Sequence, residues 1–253
     1  MKIVLLGYGK MGRIIESLAT AAGDEVVLTV DHHNRETISA ADLAGADVAI
    51  EFSRPEAAVA NVELCLAAGV PVVVGTTGWL NDLPAVRNRV AESGGALFWA
   101  SNFSIGVNVY FAAAQRAAEL VGKYGGYTPA VREIHHLQKL DAPSGTAITL
   151  AETVAGELAD YNSWVLDEVI SPAPQSRTAP AAAPASGKKA LPIVSVREQG
   201  VPGTHVLTLT SEVDTLELTH TAHSRKGFAT GALTAARWLT GRKGTFTMKD
   251  MLG

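Results

Sequence analysis

The chain has 253 residues, 47% hydrophobic and 18% charged, with a formal net charge of -4. That length buries a sizeable core in one large or two modest domains without metal or disulfides. The apolar runs are too short for a membrane span, and the mild acidity gives no broad footprint for nucleic acid. A single cysteine, Cys65, excludes an internal disulfide, and Met1 leads straight into strand-like sequence with no signal-peptide pattern. A cytoplasmic protein without membrane or nucleic-acid partners is therefore expected.

Five strand-length apolar runs punctuate the first hundred residues: KIVLL at Lys2 to Leu6, EVVLTV at Glu25 to Val30, DVAIEF at Asp47 to Phe52, PVVVG at Pro71 to Gly75 and ALFWA at Ala96 to Ala100. Unbroken runs of this length suit parallel strands covered on both faces. Between most of them lie segments with helical spacing, MGRIIESLATAAG, PEAAVANVELCLAAG and LPAVRNRVAESGG. Strand and helix alternate, which predicts an α/β doubly wound parallel sheet. Cys65 falls in the second of these helices, where a buried packing role is expected.

The first strand runs into Gly7-Tyr8-Gly9-Lys10-Met11-Gly12, a GxGxxG that opens a helix, and Asp31 closes the second strand about twenty residues further on. In that setting the first glycine makes the tight turn and the second lets backbone approach a pyrophosphate. The third lets helix and strand pack, and the acid holds a ribose hydroxyl. The context predicts a dinucleotide. A second glycine-bearing turn, Gly75-Thr76-Thr77-Gly78, follows the fourth strand, and Asn102-Phe103 follows the fifth, at the edge where ligands of such sheets lie.

The pattern changes after Asn102. A long helical segment, Val107 to Gly122, precedes TPAVREIHH, a helix from about Ser144 to Asp160, and three β-rich runs, IVSVRE, THVLTLTS and DTLELTHTAH. Clustered strands without intervening helices predict a separate α+β domain with a mixed sheet. The stretch Pro172 to Lys189, rich in Pro, Ala and Ser, reads as a surface loop. GFATGALTAARWLTGR near the end reads as an amphipathic helix that returns to the first sheet.

Glu133 to Ala147 reads EIHHLQKLDAPSGTA. A hydride acceptor must be protonated or have its charge held, and His135, His136 and Lys139 are suitable donors. Pro143-Ser144-Gly145-Thr146 begins a helix, with proline near the first turn and backbone N–H groups ready for a carboxylate, so an anionic substrate is expected. Two adjacent histidines with one nearby aspartate, Asp141, supply no standard zinc spacing, and no metal is expected. Taken singly, Lys139 would be a solvated charge and Ser144 a helix cap; their joint occurrence points to a site.

The same stretch, an acid followed by HH, two residues, K and then DAPSGTA, resembles the hallmark of the 4-hydroxy-tetrahydrodipicolinate (dihydrodipicolinate) reductase family of diaminopimelate and lysine biosynthesis. The resemblance extends to GYGKMGR, EFSRPEA, VVGTTGW, ASNFSIGVNV and HSRKGFATGALTAARWL. It implies His135 as proton donor or acceptor, Lys139 as proton donor, and His136 with Ser144, Gly145 and Thr146 as substrate-binding groups. The cofactor, NADH or NADPH, would lie along Gly7, Tyr8, Gly9, Lys10, Met11 and Gly12, with Asp31, Gly75, Thr76, Thr77, Ala100, Ser101, Asn102 and Phe103. It further implies a Rossmann-type nucleotide domain over residues 1–104 and 222–253, and a substrate domain over 105–221 that forms a homotetramer through its sheet. Where many members place an arginine after the acid of the second strand, this chain has His32-His33. NADH is therefore expected to serve at least as well as NADPH. Two alternatives stand beside this reading: a related reductase of an amino or imino acid, and a nicotinamide-sensing protein without turnover.

Overall fold

Alternation along β1 (Lys2–Leu6) sets the layering of the first sheet: Ile3 and Leu5 enter one apolar cluster, Val4 and Leu6 another. The computed structural model describes residues 1–172, 177–178, 185 and 187–253. The chain continues through α1 (Lys10–Ala21), β2 (Glu25–Val30), β3 (Val48–Glu51), α2 (Pro55–Ala67), β4 (Val72–Val74), α3 (Leu83–Ser93) and β5 (Ala96–Trp99). There follow α4 (Ile105–Tyr124), β6 (Thr128–His135), β7 (Asp141–Ala142), α5 (Gly145–Glu157), β8 (Tyr161–Ile170), β9 (Arg177–Thr178), β10 (Lys189–Arg197), β11 (Gly203–Thr210) and β12 (Thr215–Ala222). After these come α6 (Lys226–Leu239), β13 (Gly244–Phe246) and α7 (Met248–Leu252). The chain divides into two compact units, Met1–Ile105 with Lys226–Gly253, and Gly106–Arg225.

The first unit is a six-stranded sheet in the order β13-β5-β4-β3-β1-β2, parallel throughout. Ile15 and Ala19 of α1 and Ala232, Ala236 and Leu239 of α6 fill one face; Ala58, Val62 and Cys65 of α2 and Val86 and Val90 of α3 fill the other. Buried positions three and four apart put these helices on the sheet. Strand order reverses between β1 and β3, so the carboxyl ends of those strands splay into a crevice. The sequence reading finds five of the six strands. It misses β13, whose three residues carry no periodic signal and are held by pairing with β5.

The second unit is a five-stranded mixed sheet, β12-β11-β6-β10-β8, with β6, β10 and β8 parallel and β11 antiparallel to both neighbours. Val131, Ile193, Leu207 and Leu209 face Leu150, Ala151 and Val154 of α5 in one core. Two details differ from expectation. The helix expected to reach Asp160 stops at Glu157, because Leu158 turns extended and the chain enters β8 at Tyr161. That strand is absent from the sequence reading; it lies at the sheet edge, and Asp167 and Glu168 break its apolar alternation. Of the stretch expected as a loop, Arg177–Thr178 pair with β7 and Lys189 already belongs to β10, while residues 173–176, 179–184 and 186 lie outside those described. Among the described residues no helix is long and apolar enough to cross a membrane.

Candidate active site

The GxGxxG turn occupies the crevice of the first unit. Gly7 has φ +99°, and a Cβ there would stand 2.1 Å from the Phe52 carbonyl oxygen. A Cβ at Gly12 would stand 2.4 Å from the Gly7 carbonyl oxygen, whereas nothing lies within 4 Å of the Cβ position at Gly9. Gly7 and Gly12 thus close the turn against protein, and Gly9 leaves its outer side open. A cavity of about 450 Å³ adjoins it, lined by Gly7, Tyr8, Gly9 and Asp31 and by residues the sequence reading gave no role, among them Arg13, Arg54 and Asn61.

Asp31 follows β2 directly, and its Oδ1 accepts the His33 backbone N–H at 2.8 Å. That bond, helped by the His33 and His32 rings, holds the Asp31 carboxyl below its ordinary range. Arg35 is turned to α2, with Nε donating to Asn61 Oδ1 at 2.7 Å and Nη2 to the Ala60 carbonyl at 3.2 Å. The Arg13 guanidinium lies 4.6 Å over the Tyr8 ring, whose hydroxyl bonds Glu16. Such pairs keep cationic groups on the lining without packing them into the core.

The remaining nucleotide-side residues are spread wider. Thr76 Oγ1 accepts the Ser53 N–H at 2.8 Å, joining the ends of β4 and β3. Gly75, Thr76 and Thr77, and Ala100, Ser101, Asn102 and Phe103, follow β4 and β5 and do not line this cavity. Asn102 Oδ1 accepts the Ser104 N–H at 2.9 Å. Phe103 packs into the core beside Phe98, and Met11 packs against the same cluster, while Lys10 is exposed. A dinucleotide fits this unit by its backbone: the open side at Gly9 is a cradle that a bulky side chain there would obstruct.

In the second unit, strand register gathers the polar groups. Along the helix-covered face Val131, Ile193 and Leu207 are apolar, but toward the ends of β6 and β10 and the start of β11 the same face turns polar. Ser195 pairs with Glu133 and Glu133 with His205; one step on, Arg197 pairs with His135. Paired residues on adjacent strands share a face, so two polar rows lie side by side. All five of these residues are buried.

Glu133 is the hub. Its Oε1 accepts from Ser195 Oγ at 2.7 Å and Arg197 Nη2 at 3.0 Å, and its Oε2 lies 2.8 Å from His135 Nδ1. Burial works to raise this carboxyl, but His135, Ser144 and Ser195 outweigh it and hold the group well below the carboxylate range. The His205 ring meets the His135 ring edge-on at 5.1 Å, and its Nε2 lies 3.1 Å from Ser144 Oγ. Burial, then neighbouring His135, pushes the His205 imidazole down to about 3. Glu133, His135 and His205 bring possible metal-ligating atoms within 4.8 Å of one another, but Arg197 already provides Glu133 with a cationic partner.

The loop after β6 carries the other expected residues. Lys139 Nζ sits 2.9 Å from both carboxylate oxygens of Asp141. His136 is half-buried, and burial, then the positive charge of Arg225, lowers its pKa. Ser144 caps α5 by accepting the Ala147 N–H at 3.2 Å, which puts Pro143 before the cap and outside the first turn. The Ser144 carbonyl takes the Ile148 N–H. Gly145 is exposed at the first position of α5, and no atom lies within 4 Å of its Cβ position. The structure thus brings His135 and Ser144 to one polar cluster, with Lys139, Gly145 and Thr146 on the loop and helix start that adjoin it. Reading the sequence assigned no role to Ser195, Arg197 or His205; their signal was the alternation of β10 and β11, which shows a face and not a register.

Comparison with known proteins agrees along the whole length. Residues 1–103 match the family model for the dihydrodipicolinate reductase N-terminus and residues 106–252 the model for its C-terminus. The 4-hydroxy-tetrahydrodipicolinate reductase of Christiangramia forsetii is 42% identical over 254 aligned positions, spanning 100% of this chain and 98% of that protein. The reductase of the same name from Akkermansia muciniphila is 35% identical over 252 positions, 97% of this chain and 94% of that one. Among solved structures, a dihydrodipicolinate reductase from Paenisporosarcina sp. TG-14 shares the fold at a TM-score of 0.73 and 24% identity, over 98% of this chain and 97% of that chain. With both halves matched by the family's models and a full-length relative 42% identical, the chain belongs to the dihydrodipicolinate reductase family.

Proposed function

We propose that His135 and Lys139 carry the proton chemistry of a reductase that turns 4-hydroxy-tetrahydrodipicolinate into tetrahydrodipicolinate with NADH or NADPH, in diaminopimelate and lysine biosynthesis. The observation that carries this reading is the placement of a buried histidine and a half-buried lysine next to the open start of α5, within two matched halves of one reductase family. The bound dinucleotide supplies the hydride. Gly7 to Gly12 hold its phosphates on backbone, and Asp31 takes ribose hydroxyls; the turns at Gly75 to Thr77 and Ala100 to Phe103 complete its binding.

The substrate is a cyclic dicarboxylate, as is the dipicolinate bound in the Paenisporosarcina reductase. Ser144, Gly145 and Thr146 at the start of α5 receive one carboxylate, since the N-terminal end of a helix attracts anions. His136 orients the ring. Lys139 exchanges Asp141 for substrate and protonates the ring or its leaving hydroxyl, and His135 completes the proton path. No metal is needed, because the cations of the site are side chains. Assembly as a cytoplasmic homotetramer through the second sheet belongs to the same reading and is supported by exposed Val165, Ile170 and Leu216 on its edge strands.

The test is oxidation of NADH or NADPH in the presence of freshly made dihydrodipicolinate synthase product. Turnover that requires that product supports the reading. A protein that binds NADH but does not oxidise it with that product, or oxidises it only with another imino acid, overturns it. Light scattering that finds a monomer at micromolar concentration removes the tetramer alone.

A further inference from the structure

Glu133 is a fully buried carboxylate for which the proton path above has no use. Burying such a charge is costly unless it is paired, and here its two oxygens meet different partners. One oxygen accepts from Ser195 at 2.7 Å and Arg197 at 3.0 Å; the other is 2.8 Å from His135 Nδ1, ion-pair distance without the alignment of a hydrogen bond, and neither atom has a hydrogen-bond partner among the described residues. Arg197 is itself anchored, with Nη2 donating to the Asp141 carbonyl at 2.6 Å and Nη1 to the Val196 carbonyl at 2.8 Å. The Asp141 bond ties the buried cluster to the loop of Lys139.

The opposite edge of the His135 ring is equally confined. Thr204 pairs with Ile134, so one step along the ladder Gly203 stands beside His135. A Cβ at Gly203 would come 3.0 Å from His135 Nε2 and 3.2 Å from its Cδ2. Gly203 has no left-handed backbone to explain the missing side chain. What a side chain there would meet is the His135 ring.

We propose that Glu133, braced by Arg197, is a positioning residue that keeps the His135 proton on Nδ1, and that Gly203 is the spacer that leaves Nε2 free to exchange protons. A carboxylate beside one imidazole nitrogen favours the proton on that nitrogen, which hands the chemistry to the other. The inference rests on the proton-path role of His135.

Three variants of the full chain separate the possibilities, each followed by steady-state kinetics and by 15N spectra of labelled histidine rings, with His135 assigned from the signals lost in His135→Gln. His135→Gln should lower kcat; if it does not, the proton-path reading fails irrespective of Glu133. Glu133→Gln should move the His135 nitrogen signals from the Nδ1-H form toward a mixture. It should lower kcat by about 10- to 100-fold, as losing the outer-shell partner of a metal-ligating histidine does, with substrate KM and NADH affinity nearly unchanged. Glu133→Gln leaves Arg197 buried without its carboxylate, and Gly203→Ala provides a second arm that does not depend on that variant folding. It keeps every charge, crowds Nε2, and should shift the same ring signals with a fall in kcat. If His135→Gln is impaired while Gly203→Ala, and Glu133→Gln where it folds, keep wild-type kcat and wild-type ring signals, the positioning role is overturned and the proposed function stands.

Discussion

Lys139 closes a two-point ion pair on Asp141, with Nζ 2.9 Å from each carboxylate oxygen. The pair holds the lysine near the start of α5 while keeping it partly in solvent, since 20% of the Lys139 side chain and 48% of the Asp141 side chain are exposed. An exposed pair of this kind is worth at most about 1 kcal/mol, so a dicarboxylate can displace it. Lys139→Ala should lower kcat by about 10² to 10⁴ and leave NADH affinity unchanged. Asp141→Asn should act in the other direction on binding, lowering substrate KM by about two- to fivefold. Steady-state kinetics with NADH titrations check both.

Gly145 tests the anion cradle. The space around its Cβ position is empty and its backbone is not left-handed, so Gly145→Val should fold with a nearly unchanged melting temperature. The added branches would crowd the approach to the helix start. Substrate KM should rise by about tenfold or more with a smaller change in kcat. A KM at the wild-type value would remove Gly145 from the substrate site.

The glycines of the nucleotide turn should separate folding from binding. Gly9→Ala meets nothing within 4 Å, so stability should stay near wild type while NADH affinity falls. Gly12→Ala drives a methyl to 2.4 Å from the Gly7 carbonyl oxygen, which must break the packing of α1 on β1. It should lose both NADH binding and about 1 to 3 kcal/mol of stability, the usual cost of overpacking. Thermal melts and NADH fluorescence titrations of the two variants distinguish these outcomes.

Asp31 bears on cofactor choice. Its carboxylate is held ionised by the His33 N–H and repels a 2'-phosphate, and Arg35 is engaged with α2. Wild type should use NADH at least as well as NADPH. Asp31→Ser should shift the ratio of kcat/KM values toward NADPH by about tenfold. A wild-type preference for NADPH above about tenfold would contradict the role given to Asp31.

The buried imidazole of His205 predicts an acid-sensitive fold. Its folded pKa is about 3 against an ordinary 6.5. Between those values the unfolded chain binds a proton that the folded chain does not, so stability is complete above about pH 6.5 and is lost as pH falls. The loss is at most about 1.4 kcal/mol per pH unit. From pH 7 to pH 5 it should reach about 2 kcal/mol, or roughly 4 to 8 °C in melting temperature for a chain of this size. His205→Gln should flatten that dependence in thermal melts across the same range.

How much of this was legible in the sequence depends on the distance over which each feature is encoded. KIVLL followed by GYGKMG carries strand, turn and helix within a dozen residues, and the first sheet and its glycine turn are there to be read. EIHHLQKLDAPSGTA is equally local, so His135, Lys139 and the start of α5 stand out. Glu133 is in the same stretch, yet its partners Ser195 and Arg197 arrive more than sixty positions later through the register of β10 on β6. Register is fixed by the pairing of whole strands and cannot be counted from one of them. The same reason hides β13, three residues whose strand state exists only beside β5.

The first sheet is stitched from two segments far apart in the polypeptide, and this has a consequence during synthesis. Ile3, Leu5 and Ile50 are covered in part by Ala232, Ala236 and Leu239 of α6, and β13 adds the edge next to β5. Until residues 226–253 leave the ribosome, α1 alone covers that face of the sheet, and the part that belongs to α6 stays bare. The segment Gly106–Arg225 is continuous and can complete its own core while translation proceeds. The nascent nucleotide half therefore waits with part of an oily face exposed, and in this enzyme the window for chaperone capture closes only once α6 has emerged.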